Sequence, residues 1–534
     1  MTLREKILKT FVVTIKEINA YGGPEKFFAK YPVGGVYYAN VEPKNGENPM
    51  TENYERGTGM SRAKLKRVRE AALAAGVNML VCADGASLVD QKVRASQASL
   101  GAIEDESYAY DYGKIIGMQM NAHNIDWVLG PIIDMYFSSS MPLAAVTDDP
   151  IKTAKIHRQI VRGIQDQGVC ATVKHFPGLG TYHVNMHFAP GQNVLPFDEW
   201  MKTYGFTYKE MFDEGVMAVM NTHVALKSYA NEKENGFYPS ATFSSKLTQG
   251  LLKNELKFGG AVVTDAMIMG GNATGNLVEE CVQAFKAGAD FILWPPMELA
   301  DRLEELILSG EVPMSRLDDA LSRIDKMFEF RKKALENHSC DEPDVNFVNE
   351  KSAEINKRGI CLLRNEMNIL PLKKDDINKL LIIDATSKTA LDGADTGSAD
   401  LLKAEIEKRG IKADVKRAIF DVESLVCWQD EISAEEEGYD YVLFNLNSTF
   451  ACSWDDPFML IWASHMLSQN KKIIINYGSP FFAVDFFPED KTIIEVNCGP
   501  TEITVSDVVS RLFGEEEFTG VPVIDASKWD IKNV

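Results

Sequence analysis

The sequence lacks the features that mark several large classes of protein. No run of 18 or more uncharged apolar residues occurs in its 534 residues, so no segment is expected to cross a membrane as a helix. The leading MTLREKILKTFVVTIKEI is broken early by charge and has no apolar stretch leading to a small-residue cleavage site, so no secretory signal is expected. Eight cysteines (82, 170, 281, 340, 361, 427, 452 and 498) are scattered, with no CxxC pair and no Cys/His cluster. Free thiols in a reducing compartment follow, and neither a disulfide framework nor a zinc site is expected. Positive charge is in deficit, with 56 Lys and Arg against 77 Asp and Glu and a net charge of −21. Such a surface repels phosphate backbones, which argues against nucleic acid as a partner. There is no GxxxxGK[ST] or GxGxxG, no internal repeat and no low-complexity segment. The expectation is a cytoplasmic protein without membrane, nucleic acid, metal or organic cofactor.

What is present is ordinary globular material, 45% apolar and 25% charged, in a chain long enough for two to four domains. Up to about residue 335, short apolar runs alternate with amphipathic helical stretches. The runs are GGVYY (34–38), NMLVCAD (78–84), DWVLGPIID (126–134), CATVKHF (170–176), AVMNTH (218–223), AVVTD (261–265) and FILWP (291–295). Between them lie SRAKLKRVREAALAAG (61–76) and DPIKTAKIHRQIVRGIQDQG (149–168). Runs buried on both faces and separated by helices predict parallel strands, and seven or eight such units favour a closed barrel. The polar stretch 334–347 reads as a linker. Beyond it, LLIID (380–384), YVLFNL (441–446), KIIINYG (472–478) and TIIEVN (492–497) alternate with helices such as SADLLKAEIEKRG (398–410), predicting a second, smaller α/β domain. The acidic run DEISAEEEGYD (430–440) reads as a solvated helix and turn.

Many runs of the first part end in a side chain capable of chemistry: Asp84, Asp134, Lys174 with His175, His223 and Asp265. Active sites of parallel barrels form at the carboxyl ends of the strands. The segment KHFPGLGTYHVNMH (174–187) holds His175, His183 and His187, three of the eight histidines. With Gly178 and Gly180 around Leu179 it reads as a flexible loop. Its imidazoles fit general acid/base work on a closing loop. Metal ligation and a merely His-rich surface loop are the competing readings. In LKFGGAVVTDAMIMGG (256–271) an apolar strand ends at Asp265, which on residues alone is equally a nucleophile or a helix N-cap.

The motifs KHFPG and VVTDAM, about 90 residues apart, resemble those of glycoside hydrolase family 3, in particular its bacterial β-N-acetylglucosaminidase and β-glucosidase branch. The resemblance extends through IIDMYF, YPSATFSSKLTQGLLKNELKFGG, ICLLRNEMNILPL, NYGSPFFAVDF and FTGVPV, nearly the whole chain. It implies a TIM-like (β/α)8 barrel over 1–335, a linker at 336–350 and a smaller α/β sandwich domain over 351–534. It also implies a retaining exo-β-glycosidase releasing a terminal glucose- or N-acetylglucosamine-type sugar. Asp265 matches the nucleophile, Lys174 and His175 the pair that binds sugar hydroxyls, and Asp84 the early strand-end Asp that grips the terminal sugar. His187 matches the acid/base histidine of an Asp-x-His dyad, and Met267, which follows the nucleophile in the same motif, is expected with Met186 among the substrate-binding residues.

The chain departs from that pattern where the chemistry is most sensitive. Asn185 stands in place of the dyad Asp, and Met186 is the residue between. GASLV (85–89) replaces an acidic-glycine stretch, and AAVTDDP (144–150) lacks an Arg before its DP dipeptide. Asn185 can orient His187 but brings no charge to stabilise imidazolium, so a weaker general acid is expected. A loop without the carboxylate also repels phosphate less, which makes a β-glycoside phosphorylase the alternative. Met186, if near the sugar's 2-substituent, would crowd an N-acetyl group. From a different class, a catalytically impaired glycan-binding member remains the competitor. Expected partners are a small carbohydrate and, in the phosphorylase reading, phosphate. The oligomeric state is left open, a homodimer included.

Overall fold

The computed structural model describes residues 1–40, 59–84, 94–137, 145–179, 181, 186–233, 236–336, 344–386, 397–417, 438–447, 467–485, 487 and 489–525. Asn185, His183, GASLV (85–89), most of the acidic run at 430–440 and the centre of the expected linker lie outside the described residues. Two compact units result, one of residues 1–90, 109–134 and 157–345, the other of 91–108, 135–156 and 346–534.

The first unit is built on eight parallel strands: β1 (Phe11–Val13), β2 (Gly35–Tyr37), β3 (Leu80–Asp84), β4 (Trp127–Leu129), β5 (Cys170–Phe176), β6 (Ala218–Asn221), β7 (Ala261–Thr264) and β8 (Ile292–Leu293). Each pairs with the next in chain order, β8 pairs back onto β1, and a bridge from Val263 to Phe291 joins β7 to the start of β8. The expected barrel is therefore present. Helices fill the connections, such as Arg62–Ala74, whose N-cap Ser61 accepts from Lys64 N and whose buried side Leu65, Val68, Ala71 and Ala72 follows helical spacing.

Side chains alternate along a strand, so one parity fills the barrel interior. Leu80 and Cys82, Trp127 and Leu129, Ala218 and Met220, Ala261 and Val263, and Phe291 and Leu293 meet in one buried cluster. Carried one step further, the same parity points Asp84, Thr222 and Asp265 into the mouth. Lys174 follows from Cys170 by the same count. The β5–β6 register shifts between Val173 and Phe176, which frees Lys174 and His175 from regular pairing.

The second unit holds a six-stranded sheet: β9 (Ile360–Asn365), β10 (Lys379–Thr386), β11 (Lys412–Arg417), β12 (Tyr441–Asn447), β13 (Lys472–Asn476) and β14 (Thr492–Val496), in the order β9-β14-β13-β12-β10-β11. All pairings are parallel except β9 with β14. Leu380 and Ile382 pack on one face with Leu402, Ile406, Val505 and Val509. Leu381 and Ile383 pack on the other with Phe482 and Phe487. Burial on both faces explains the unbroken apolar runs. The helix Val345–Arg358 occupies part of the expected linker, burying Val348, Ser352 and Ile355 along one side.

Candidate active site

Asp265 follows β7 directly, and its backbone N–H donates to Asn221 O at 2.8 Å. One carboxylate oxygen accepts from Thr222 Oγ1 at 2.7 Å and the other from Ala266 N at 2.8 Å. Of the two readings left open for this residue, the helix cap is not the one seen: the next α-helix, Leu277–Ala287, starts twelve residues on and is capped by Asn276. Only a single 3-10 turn, Gly270–Asn272, intervenes. Burial pushes the Asp265 carboxyl up, but the His175 imidazole, the Thr222 bond and Lys174 more than offset it and hold the group below the ordinary carboxylate range. The side chain is therefore an anion with free lone pairs at neutral pH.

His223, fully buried, has both ring nitrogens engaged. Nε2 lies 3.1 Å from Ala266 O, and Nδ1 lies 2.6 Å from Asn272 Nδ2 and 3.0 Å from Thr242 Oγ1. A carbonyl must receive a proton and an amide must give one, so the tautomer is Nε2–H. Burial lowers the pKa of this imidazole and keeps it neutral.

His175 turns its Nδ1 to Asp134 Oδ2 at 2.7 Å, and the same oxygen accepts the His175 backbone N–H at 3.1 Å. Asp134 Oδ1 accepts Leu179 N at 2.6 Å. One buried carboxylate thus fixes the imidazole, leaving Nε2 for other partners, and ties down the following turn. The sequence reading of this segment as flexible needs correction as far as Leu179. Trp200 Nε1 donates to Pro177 O at 2.7 Å, Asn193 Nδ2 donates to Gly178 O at 3.2 Å, and Tyr204 donates its hydroxyl to Leu179 O. Gly178 has φ of +110°, and a Cβ there would lie 2.4 Å from the Tyr204 ring. Here glycine serves close packing.

Lys174 Nζ donates to Asp84 Oδ1 at 2.7 Å, while Tyr37 donates its hydroxyl to Asp84 Oδ2 at 2.9 Å. The Asp84 side chain keeps about half its surface open at 49%, against 11% for Lys174. The pair can present charge and acceptors to a polar ligand.

The acid/base candidate lies on a loop seated beside Asp265. Gly270 N donates to His187 O at 2.9 Å and Gly271 N to Met186 O at 3.0 Å. A Cβ on Gly271 would fall 2.5 Å from Met186 O, so the glycine pair admits the loop backbone. The His187 side chain is exposed. Met186 is buried, with Sδ 2.8 Å from Thr222 Oγ1. Met267 is 1% exposed and its N–H donates to Leu293 O at 3.2 Å. Among the described residues no group of three or more His, Cys, Asp or Glu side chains is arranged to hold a metal ion, and no helix is long and apolar enough to cross a membrane.

Sequence reasoning did not single out Tyr37 or Thr222, and noted Asp134 only as a strand-end residue. Parity was the available signal for Thr222: counting 218, 220, 222 along β6 aims it at the mouth.

Similarity to known proteins converges on one family. Over 498 residues the chain is 24% identical to a β-N-acetylglucosaminidase/β-glucosidase of Cellulomonas fimi, covering 85% of each chain. Among solved structures, β-glucoside phosphorylase BglX superposes with a TM-score of 0.78 at 22% identity, covering 98% of this chain and 94% of that one. A glycoside hydrolase family 3 β-N-acetylglucosaminidase from Paenibacillus sp. str. FPU-7 gives 0.76 at 22% identity, covering 98% and 99%. At such identity these two likenesses bear on the fold alone. Residues 2–327 match the profile of the glycosyl hydrolase family 3 N terminal domain, and the chain belongs to that family.

Proposed function

We propose that this protein is a retaining exo-β-glycosidase that releases a terminal glucose- or N-acetylglucosamine-type sugar by double displacement. The observation that carries the reading is Asp265, a buried carboxylate held ionised at the carboxyl end of a barrel strand. A nucleophile must be an anion with an unblocked lone pair, and among the described residues Asp265 accepts only a hydroxyl and an amide. In the first step Asp265 attacks the anomeric carbon while His187 protonates the departing oxygen. In the second His187 takes a proton from water, whose oxygen displaces the Asp265 ester with net retention. Asp84, Lys174 and His175 grip the sugar hydroxyls, and Asp134 positions His175. Asn185 orients His187 without adding charge. Met186, packed against Thr222, borders the nucleophile on the loop side, and Met267 contributes to substrate binding. Along the chain, 1–335 is the proposed catalytic domain, 336–350 the connection and 351–534 the smaller domain. Buried free cysteines at 82, 170, 281, 361 and 498 agree with a cytoplasmic location.

A 2-deoxy-2-fluoro β-glycosyl fluoride should leave a covalent sugar on the protein. Intact-mass measurement should find one adduct, peptide mapping should place it on Asp265, and Asp265→Asn should abolish it. Turnover of aryl glycosides without any adduct on Asp265 would overturn the mechanism.

A second reading, phosphate as acceptor, rests on one observation: residue 185 is Asn where a carboxylate would repel a phosphate dianion. Acceleration by added phosphate with release of sugar 1-phosphate would establish it.

A further inference from the structure

The mouth of the barrel carries an aromatic side chain that the glycosidase reading leaves unused. Trp294 follows β8 immediately, and its backbone has φ of +61°, the left-handed region that a large aromatic residue rarely adopts. Its N–H donates to Val12 O at 2.8 Å, so the turn is held in place by β1. Unusual backbone at the carboxyl end of a barrel strand aims a side chain that a regular continuation would send elsewhere.

That aim is informative. The indole lies edge to face with Tyr37, ring centroids 5.2 Å apart. The Tyr37 hydroxyl in turn holds Asp84, which binds Lys174. Trp294 is thus one residue removed from the proposed sugar grip. Trp294 is partly exposed, whereas its Nε1 is buried with no acceptor among the described residues. Indole is a donor only, and a buried indole N–H ordinarily finds a partner. A partly exposed indole one residue away from a carboxylate and an ammonium matches a pyranose, which offers an apolar C–H face beside its hydroxyls.

Resting on the glycosidase reading, we infer that Trp294 is a specificity-determining wall of the sugar site, packing its ring on the C–H face of the terminal hexopyranose. It takes no part in bond breaking. It acts on binding, equally in ground and transition states, so its loss should raise KM more than it lowers kcat.

The test uses the full chain carrying Asp265→Asn, with 4-nitrophenyl β-glucoside and 4-nitrophenyl N-acetyl-β-glucosaminide as ligands in calorimetry. Trp294→Phe, which replaces the indole by a smaller ring, should weaken binding of the preferred glycoside by about tenfold. Trp294→Ala should weaken it by about 100-fold. In protein with Asp265 intact, Trp294→Phe should raise KM by a similar factor with kcat within about threefold. Unchanged affinity in Trp294→Phe, whose fold a ring-for-ring exchange preserves, would overturn the inference alone. Failure of the Asp265→Asn parent to bind either glycoside would instead overturn the glycosidase reading, and this inference with it.

Discussion

At the amino ends of the barrel strands, Asp126 and Asp290 are buried beside full cationic charge. Asp126 accepts from Arg331 Nε at 2.9 Å, Arg69 Nη2 at 2.5 Å and Val81 N at 2.8 Å. Asp290 accepts from Lys253 Nζ at 2.8 Å, Arg316 Nη2 at 2.9 Å and Val262 N at 2.9 Å. At the carboxyl ends, Asp134 and Asp265 are equally hidden, but their direct partners are imidazole, hydroxyl and backbone amide. The same residue type therefore serves two purposes. Two cations and an amide use up a carboxylate's capacity and leave a structural clasp. A hydroxyl and an amide keep it charged yet available.

The contrast predicts a double dissociation. Asp265→Asn should lower kcat on an aryl glycoside by roughly 10⁴-fold, the scale expected when a nucleophile is removed. Its unfolding midpoint should stay near that of the parent, because amide and carboxylate fill the same space. Asp126→Asn should do the reverse, destabilising by about 3–5 kcal/mol because Arg331 and Arg69 are left with an uncompensated buried charge. The fraction still folded should keep its kcat. Thermal unfolding and turnover measured on both variants decide the matter, and a stability loss in Asp265→Asn with none in Asp126→Asn would erase the distinction.

Asp134 sharpens the comparison, because it is an upper acid used for positioning. Its two oxygens receive three N–H donors, and an Asn at the site can offer only one oxygen while turning an NH₂ toward a donor. Asp134→Asn should lower kcat/KM by about 10- to 100-fold through misplacement of His175. A fall in stability with kcat/KM unchanged in the folded fraction would make Asp134 another clasp.

Much of this division is legible in the sequence, and the unreadable part has physical causes. Apolar runs announce the strands because both faces are covered, and Asp84, Lys174, His175 and Asp265 stand at their ends. Thr222 and Tyr37 passed unnoticed because Thr and Tyr are ordinary strand residues, and only register shows that they face Asp265 and Asp84. Gly178 was read as freedom, whereas its role depends on Tyr204, 26 positions away. The grouping of 91–108 and 135–156 with the second unit depends on long-range packing that no local pattern encodes.

Glu495 on β14 supplies a third kind of buried acid, and with it the mildest test. Among the described residues it has neither a cation nor a hydroxyl partner: Asn476 Nδ2 donates to Oε2 at 2.8 Å, and Oε1 has no partner there. Burial pushes its pKa up to about 8, the Asn476 bond offsetting only part of that rise. Below the ordinary Glu range both folded and unfolded chains are protonated, so nothing is lost. Between that range and pH 8 the unfolded chain releases its proton while the folded one keeps it, so stability declines as pH rises. The slope is at most about 1.4 kcal/mol per pH unit, and it vanishes once both states are ionised. Urea unfolding followed from pH 5 to pH 9 should show this decline in the second unit, and Glu495→Gln should flatten it. An equally steep decline in Glu495→Gln would mean that Glu495, like Asp126 and Asp290, has its charge met in the folded protein.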